Sequence, residues 1–306
     1  MSFAAWQKCE PCDILNERKG DDIMIEINQE WVDAHLRPRD PESDKNSFGR
    51  VLCVCGSGMY PGAAWFSAQG AVRMGSGVVT LATSRFAWPV LAAKLNEPVV
   101  RALPCDENGL VSLDALPSLL HLSERADAML IGCGLGQSED IRKLVCALIT
   151  HASCQIVLDA DGINAIAAHK DILRQAAKPV VLTPHVREFA RVSQGEEAAA
   201  FAKSNRCVVL LKGHQTTVHT PDGTAYRNHS GNPGMANGGS GDVLAGMLVS
   251  LCGQGLQAQD AACAAAWLHG RAGDLAANEL SEYGMTPTDM LERLPRILKR
   301  YNSREW

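Results

Sequence analysis

The residues whose types and spacing carry the most chemistry lie between Ser230 and Asp242, reading Ser-Gly-Asn-Pro-Gly-Met-Ala-Asn-Gly-Gly-Ser-Gly-Asp. Five of the eleven residues from Gly231 to Gly241 are glycine, against a background of roughly 7%. Glycine lets backbone amides close on a charged group with no Cβ in the way. Directly after Asp242, the apolar residues Val243, Leu244, Met247, Leu248 and Leu251 recur at helical spacing. The unpaired amides of that helix start and its dipole favour a phosphate over the turn, so Gly238, Gly239, Ser240 and Gly241 are read as an anion hole. A carboxylate beside bound phosphate is repulsive unless it has a task. Asp242 has one if it takes the proton of a hydroxyl attacking a phosphoryl group while the amides neutralise the charge in transfer. An acidic residue in a first helical turn is favoured anyway. The density of glycine and the preceding Asn-Pro-Gly turn favour the catalytic reading.

Other candidates stand after short β-branched runs. Gly56 to Gly62 imitates a dinucleotide fingerprint, but its spacing is Gly-x-Gly-x-x-x-Gly and no acidic residue ends a second strand about 20 residues on, which excludes a Rossmann-type nicotinamide site. No Gly-x-x-x-x-Gly-Lys-Ser/Thr occurs, so a P-loop is excluded as well. Asp159 and Asp161 have two readings: Mg²⁺ held largely through water, or, for Asp161, a helix cap. His185, after Thr183-Pro184, is either a satisfied turn histidine or a substrate contact. Lys212 either neutralises phosphate charge or solvates a strand end.

The elements that must position these groups alternate regularly. Strand-like runs at 50–55, 77–82, 128–131, 155–158, 179–182 and 207–211 are separated by helical stretches such as 62–74, 139–151 and 258–277, the pattern of a parallel sheet covered on both faces. Two extended pieces between 216 and 226 flank Pro221-Asp222-Gly223 and predict a β-hairpin. Ligands in such sheets collect at the carboxyl ends of the strands, where the candidates lie. Residues 1–24 read as an amino-terminal arm and 25–306 as one domain, with a short helix at 28–36. The chain has 306 residues, 46% hydrophobic and 21% charged, with a net charge of −5. This argues against nucleic acid as a partner. No apolar run approaches the ~20 residues needed to span a bilayer, and there is no basic segment leading into an apolar signal core. A soluble, cytoplasmic protein is expected. Most of the eleven cysteines, among them Cys53, Cys55, Cys146, Cys207, Cys252 and Cys263, sit in apolar company and read as small buried hydrophobes. Cys9 and Cys12 form a C-x-x-C with no second ligand pair.

As an ordered set, Gly-Ser-x-x-Tyr-x-Gly-Ala at 56–63, Gly-x-Gly-Leu-Gly at 132–136, Leu-Asp-Ala-Asp at 158–161, Leu-Thr-Pro-His-x-x-Glu-Phe at 182–189, Leu-Lys-Gly at 211–213 and Gly-Asn-Pro-Gly-Met-Ala-x-Gly-Gly-Ser-Gly-Asp at 231–242 resemble the ADP/ATP-dependent NAD(P)H-hydrate dehydratases of the ribokinase-like superfamily. The resemblance covers about residues 25 to 280. It implies a three-layer α/β/α sandwich with a mainly parallel sheet. It also implies repair of hydrated NADH or NADPH of the (S)-form: a nucleotide, typically ADP in bacterial members, phosphorylates the C6 hydroxyl of the nicotinamide ring, and phosphate then leaves. Ala63, Gly134, His185 and Asp242 would contact the hydrated dinucleotide; Lys212, Gly213, His214, Gln215, Thr216 and Gly241 would contact the adenine nucleotide. Mg²⁺, a homotetramer and a separate epimerase belong to the same expectation, since the chain has no room for the preceding epimerase domain many relatives carry. Two departures stand out: Cys133 replaces a usual proline, and Asp161-Gly162-Ile163-Asn164 replaces Asp-Ala-Leu-Asn. A vitamin kinase of the same superfamily, of the thiazole or pyridoxal type, is the nearest rival; a non-catalytic nucleotide sensor would gain by losing Asp242.

Overall fold

The computed structural model describes residues 24–36 and 38–302; the expected amino-terminal arm lies almost wholly outside them, as does the Cys9/Cys12 pair. Ten strands form one sheet: β1 (Met24–Ile27), β2 (Arg50–Val54), β3 (Val78–Ser84), β4 (Val99–Leu103), β5 (Ala128–Ile131), β6 (Gln155–Leu158), β7 (Val181–Leu182), β8 (Val208–Leu211), β9 (Thr216–His219) and β10 (Ala225–Asn228). Their order across the sheet is β1-β10-β9-β8-β7-β6-β5-β2-β3-β4. Every pairing is parallel except those of β9, which runs antiparallel to β8 and, as the first arm of the expected hairpin, to β10. β1 pairs in parallel with β10, Met24 opposite Ala225.

The central strands are buried along their whole length, so period-two alternation sorts their side chains into two cores rather than into core and solvent. Val51, Cys53, Leu130 and Val157 face one layer, which contains α2 (Pro61–Arg73), α9 (Ser240–Gly253) and α10 (Ala258–Leu280). Leu52, Val54, Met129, Ile131 and Leu158 face the other, with α4 (Leu116–Ser123), α5 (Glu139–His151) and α7 (Val186–Ser193). This is the expected three-layer sandwich. Cysteines 53, 55, 207, 252 and 263 are buried as expected, whereas Cys146 is only partly so. Among the described residues, no helix is long and apolar enough to cross a membrane.

Two helices that bracket the site are locked at very short range. A Cβ at Gly246 of α9 would lie 2.1 Å from the Ser67 carbonyl oxygen, and one at Gly70 of α2 would lie 2.6 Å from that of Val243. Only glycine at both positions lets these backbones touch. The expected helix at 28–36 is α1 (Gln29–His35), started by the Asn28 side chain, which accepts the Trp31 amide at 2.8 Å.

Candidate active site

The turn after β10 ends in α9. Gly239 occupies its N-cap with φ +101°, a conformation L-residues avoid, and a Cβ there would lie 2.5 Å from the Phe66 ring. The amides of Gly241 and Asp242 fall in the first turn, where no helical carbonyl precedes them. His269 of α10 braces this turn from below: its Nε2 lies 2.9 Å from the Ser240 carbonyl oxygen and 3.3 Å from Ser240 Oγ. Burial, only partly offset by that hydrogen bond, pushes the imidazole pKa down to about 4, so the ring is neutral and Nε2–H donates to the carbonyl. The lead-in is tied to the same helix, with Asp274 accepting the Gly231 amide and the Asn232 side chain, both at 3.2 Å.

Opposite the turn, the ends of β5 to β8 converge. Asp159, 2% exposed, accepts Thr183 Oγ1 at 2.7 Å and Lys212 Nζ at 2.8 Å on one oxygen, and faces Cys133 Sγ at 3.4 Å with the other. Burial opposes the charge on Lys212, but Asp159 outweighs it and holds the ammonium pKa above its ordinary value. The ammonium also lies 3.2 Å from where a Cβ on Gly241 would be, so it stands at the mouth of the anion turn. Lys212 therefore does more than solvate a strand end.

Asp242 completes the group: ligand atoms of Cys133, Asp159 and Asp242 all lie within 4.8 Å of one another. Burial and then the like charge of Asp159 push the Asp242 carboxyl up to about 7, against the opposing pull of Cys133 and Lys212. A carboxylate near pH 7 with an ammonium and free amides beside it suits proton transfer coupled to phosphoryl transfer. The Cys133 thiol stays protonated, because its hydrogen bond to Cys55, burial and the nearby carboxylates all raise its pKa.

The other expected residues fall into two groups. Gly134 (φ +66°) packs against Ala63, so close that a Cβ on it would lie 2.8 Å from the Ala63 Cβ; the two expected substrate residues thus form one wall. His185 caps α7, its Nδ1 accepting the amides of Arg187 at 3.0 Å and Glu188 at 3.3 Å. That leaves Nε2 as the donor, and the ring is half-exposed. The backbone at His185 pairs with that at Lys212 in an isolated parallel β-bridge. Gly213, His214, Gln215 and Thr216 turn outward from β8; Gln215 reaches His229 at 3.4 Å, at the edge of a cavity of about 500 Å³ whose lining includes Glu26, His229, Trp267 and Asp274.

Asp161 does not cap α6 (Asp161–Ile166). It is the first residue of that helix, behind an N-cap, Ala160, that makes no side-chain cap, and its carboxylate takes the Gly136 amide at 2.8 Å. It ties two loops together. Lys212 and Thr183 share one Asp159 oxygen, and the other lies toward Cys133 and Asp242. Mg²⁺ keeps several of its waters and commonly meets only one or two carboxylates together with substrate phosphates, so the carboxylates here are compatible with an ion that binds along with a nucleotide. Thr183, Cys133 and His269 were not apparent as site residues from the sequence; each comes from a different strand end or helix, and no spacing in the chain links them to Asp242.

A family profile described as NAD(P)H-hydrate dehydratase matches residues 51–296, a span that includes Asp159, Lys212 and Asp242. This chain belongs to the NAD(P)H-hydrate dehydratase family. Among curated relatives of this dehydratase family, the bifunctional NAD(P)H-hydrate repair enzyme of Moorella thermoacetica is 39% identical over 88% of this chain and 53% of its own length. The chain thus spans about half the length of the bifunctional relatives it matches. The ADP-dependent (S)-NAD(P)H-hydrate dehydratase of Bacillus subtilis is 33% identical over 89% of this chain and 98% of the relative. A crystal structure of the ADP/ATP-dependent dehydratase from B. subtilis, co-crystallised with ATP and Mg²⁺, superposes with a TM-score of 0.78 at 30% identity, covering 91% of this chain and 99% of that one. The sandwich is the ribokinase-like fold.

Proposed function

We propose that this protein dehydrates the (S)-form of hydrated NADH or NADPH at the expense of ADP. The single observation that carries the reading is Asp242, a carboxyl pushed up to about 7 at the first turn of the anion-binding helix, in a chain of the dehydratase family.

The C6 hydroxyl of the hydrated ring gives its proton to the Asp242 carboxylate as its oxygen attacks the terminal phosphorus of ADP, releasing AMP. The Gly238–Gly241 turn and Lys212 offset the charge that builds on the transferred group. The ring nitrogen then pushes its lone pair toward C6, the C6–O bond breaks, and phosphate leaves; loss of a proton from C5 restores the double bond. Ala63, Gly134 and His185 are proposed to hold the dinucleotide, with His185 Nε2–H as a donor. Residues Lys212 to Thr216 and Gly241 are proposed to hold the adenine nucleotide. Any Mg²⁺ is taken to arrive on the nucleotide's phosphates, and no step is routed through it. A cytoplasmic location and a single domain over 25–306 are proposed from the sequence pattern, and a homotetramer and a separate epimerase in the same pathway from the family resemblance.

The test is the absorbance at 340 nm of hydrated NADPH on adding protein, Mg²⁺ and either ADP or ATP. Recovery with the unmodified chain, and its loss by about 10²-fold or more in Asp242→Asn, is the expected result. No recovery with either nucleotide, together with phosphorylation of a thiazole or pyridoxal alcohol, would move the protein to the kinase branch.

A further inference from the structure

The opposite end of the sheet, away from Asp242, carries a second concave surface. The outer strands expose one face there. Leu52 of β2 stands beside Thr80 of β3, and Thr80 beside Val99 of β4; Arg50 and Arg101 lie two residues away on the same face. α4 crosses the upper part of this face, where Ala82 and Leu103 are buried, and leaves the lower rows open. Arg125, just past the end of α4, looks in from the far side. Together they surround a cavity of about 470 Å³ with an apolar floor that includes Leu52, Val78 and Val99.

The charge is one-sided. Three arginines line the cavity and no aspartate or glutamate does, although the chain as a whole carries a net charge of −5. The side chains of Arg101 and Arg125 make no ion pair or hydrogen bond among the described residues, and the Arg50 guanidinium meets only the neutral Asn46 side chain, at 2.6 Å. His121, also in the lining, is set against Glu124 at 3.4 Å. Converging guanidinium groups with no partner repel one another and favour an anion; their planar donors suit phosphate. An apolar floor and this volume suit a ligand with a flat body, within the usual size of small-molecule sites.

We propose that this groove binds a phosphate ester of nucleotide size, at a site separate from the catalytic one. The phosphate lies among Arg50, Arg101 and Arg125, and the ring of the ligand lies on Val78 and Val99. Occupancy weakens as salt rises, because the guanidinium groups are exposed and screened.

The test is hydrogen exchange on the full chain with AMP, with inorganic pyrophosphate and with adenosine. This needs no dehydratase activity and so stands or falls apart from the proposed reaction. AMP is expected to slow exchange in Val99–Leu103 and Leu116–Ser123, and the Arg101→Ala/Arg125→Ala variant to weaken that effect about tenfold or more with unchanged turnover. The Arg101→Lys/Arg125→Lys variant, which keeps the charges, should recover part of it, separating lost charge from lost folding. Protection confined to the catalytic end overturns the proposal. So does equal binding of adenosine, which would remove the phosphate from the recognition, or equal binding of pyrophosphate, which would remove the ring. Full protection of both segments without ligand also overturns it, since another copy of the chain would then cover the face.

Discussion

At the scale of single residues, Asp242 trades stability for reactivity. Its carboxyl is raised from an ordinary 3.8 to about 7 in the fold, so the folded state disfavours the ionised form. The stability it contributes is complete below about 4 and is lost as pH rises through about 7. Asp242→Asn removes the buried charge and is expected to raise the melting temperature at pH 8, by an amount worth a few kcal/mol at most, with little effect at pH 3.5, while turnover collapses. A thermal-unfolding series across pH checks this; an unchanged or lower melting temperature at pH 8 would refute the origin given for the raised pKa. The same charges set the pH–rate profile. Turnover should rise with pH through a limb near 7, and Asp159→Asn, which removes a like charge beside Asp242 and its competitor for Lys212, should move that limb to lower pH; a limb that stays in place would separate Asp159 from the base. Asp242 itself was legible in the sequence, because a glycine turn feeding a helical period is a local signal. The carboxylate–ammonium pair was not: Asp159 and Lys212 are 53 positions apart and Asp159 and Thr183 are 24 apart, and nothing in the chain encodes contacts at those distances. Asp161 misled because a first-turn acid resembles a cap whatever its side chain does.

At the scale of elements, α2 and α9 hold the two halves of the site in fixed relation. α2 begins beside Ala63 and α9 begins with the anion turn, so the Gly70–Gly246 contact sets the distance between the proposed dinucleotide wall and the phosphate site. Gly246→Ala drives a methyl group into the Ser67 carbonyl and is expected to cost about 1–3 kcal/mol in denaturant unfolding, and to lower kcat through the displaced turn. If stability and kcat are both unchanged, the two helices do not act as one frame. The elements themselves were mostly legible. Strands expected at 155–158 and 128–131 match β6 and β5 residue for residue, since a continuous apolar run bounded by polar turns has few alternatives. The expected 179–182 strand shrinks to Val181–Leu182 because Pro179 has no amide to donate to a ladder. β4 escaped notice: Val99 is exposed at the sheet edge, so the strand shows no half-buried alternation. β1 is four residues long, too short for periodicity to register.

At the scale of the molecule, the alternation of strand and helix was enough to read the layered architecture, whereas the position of β1 was not, because its partner lies in the distant hairpin. Met24 and Ala225 are 201 positions apart. Closing so large a loop costs entropy that only late contacts repay. In refolding monitored by pulsed hydrogen exchange, amides of β1 and β10 are expected to gain protection after those of β5 and β6; simultaneous protection would show that the far edge forms with the centre. The same pairing puts a clock on synthesis. At ~5–20 residues per second, the first strand emerges on the order of 10–40 s before the one it must join, and for that interval every nascent chain carries an unmatched strand that a chaperone, or a neighbouring chain on the same message, can reach first.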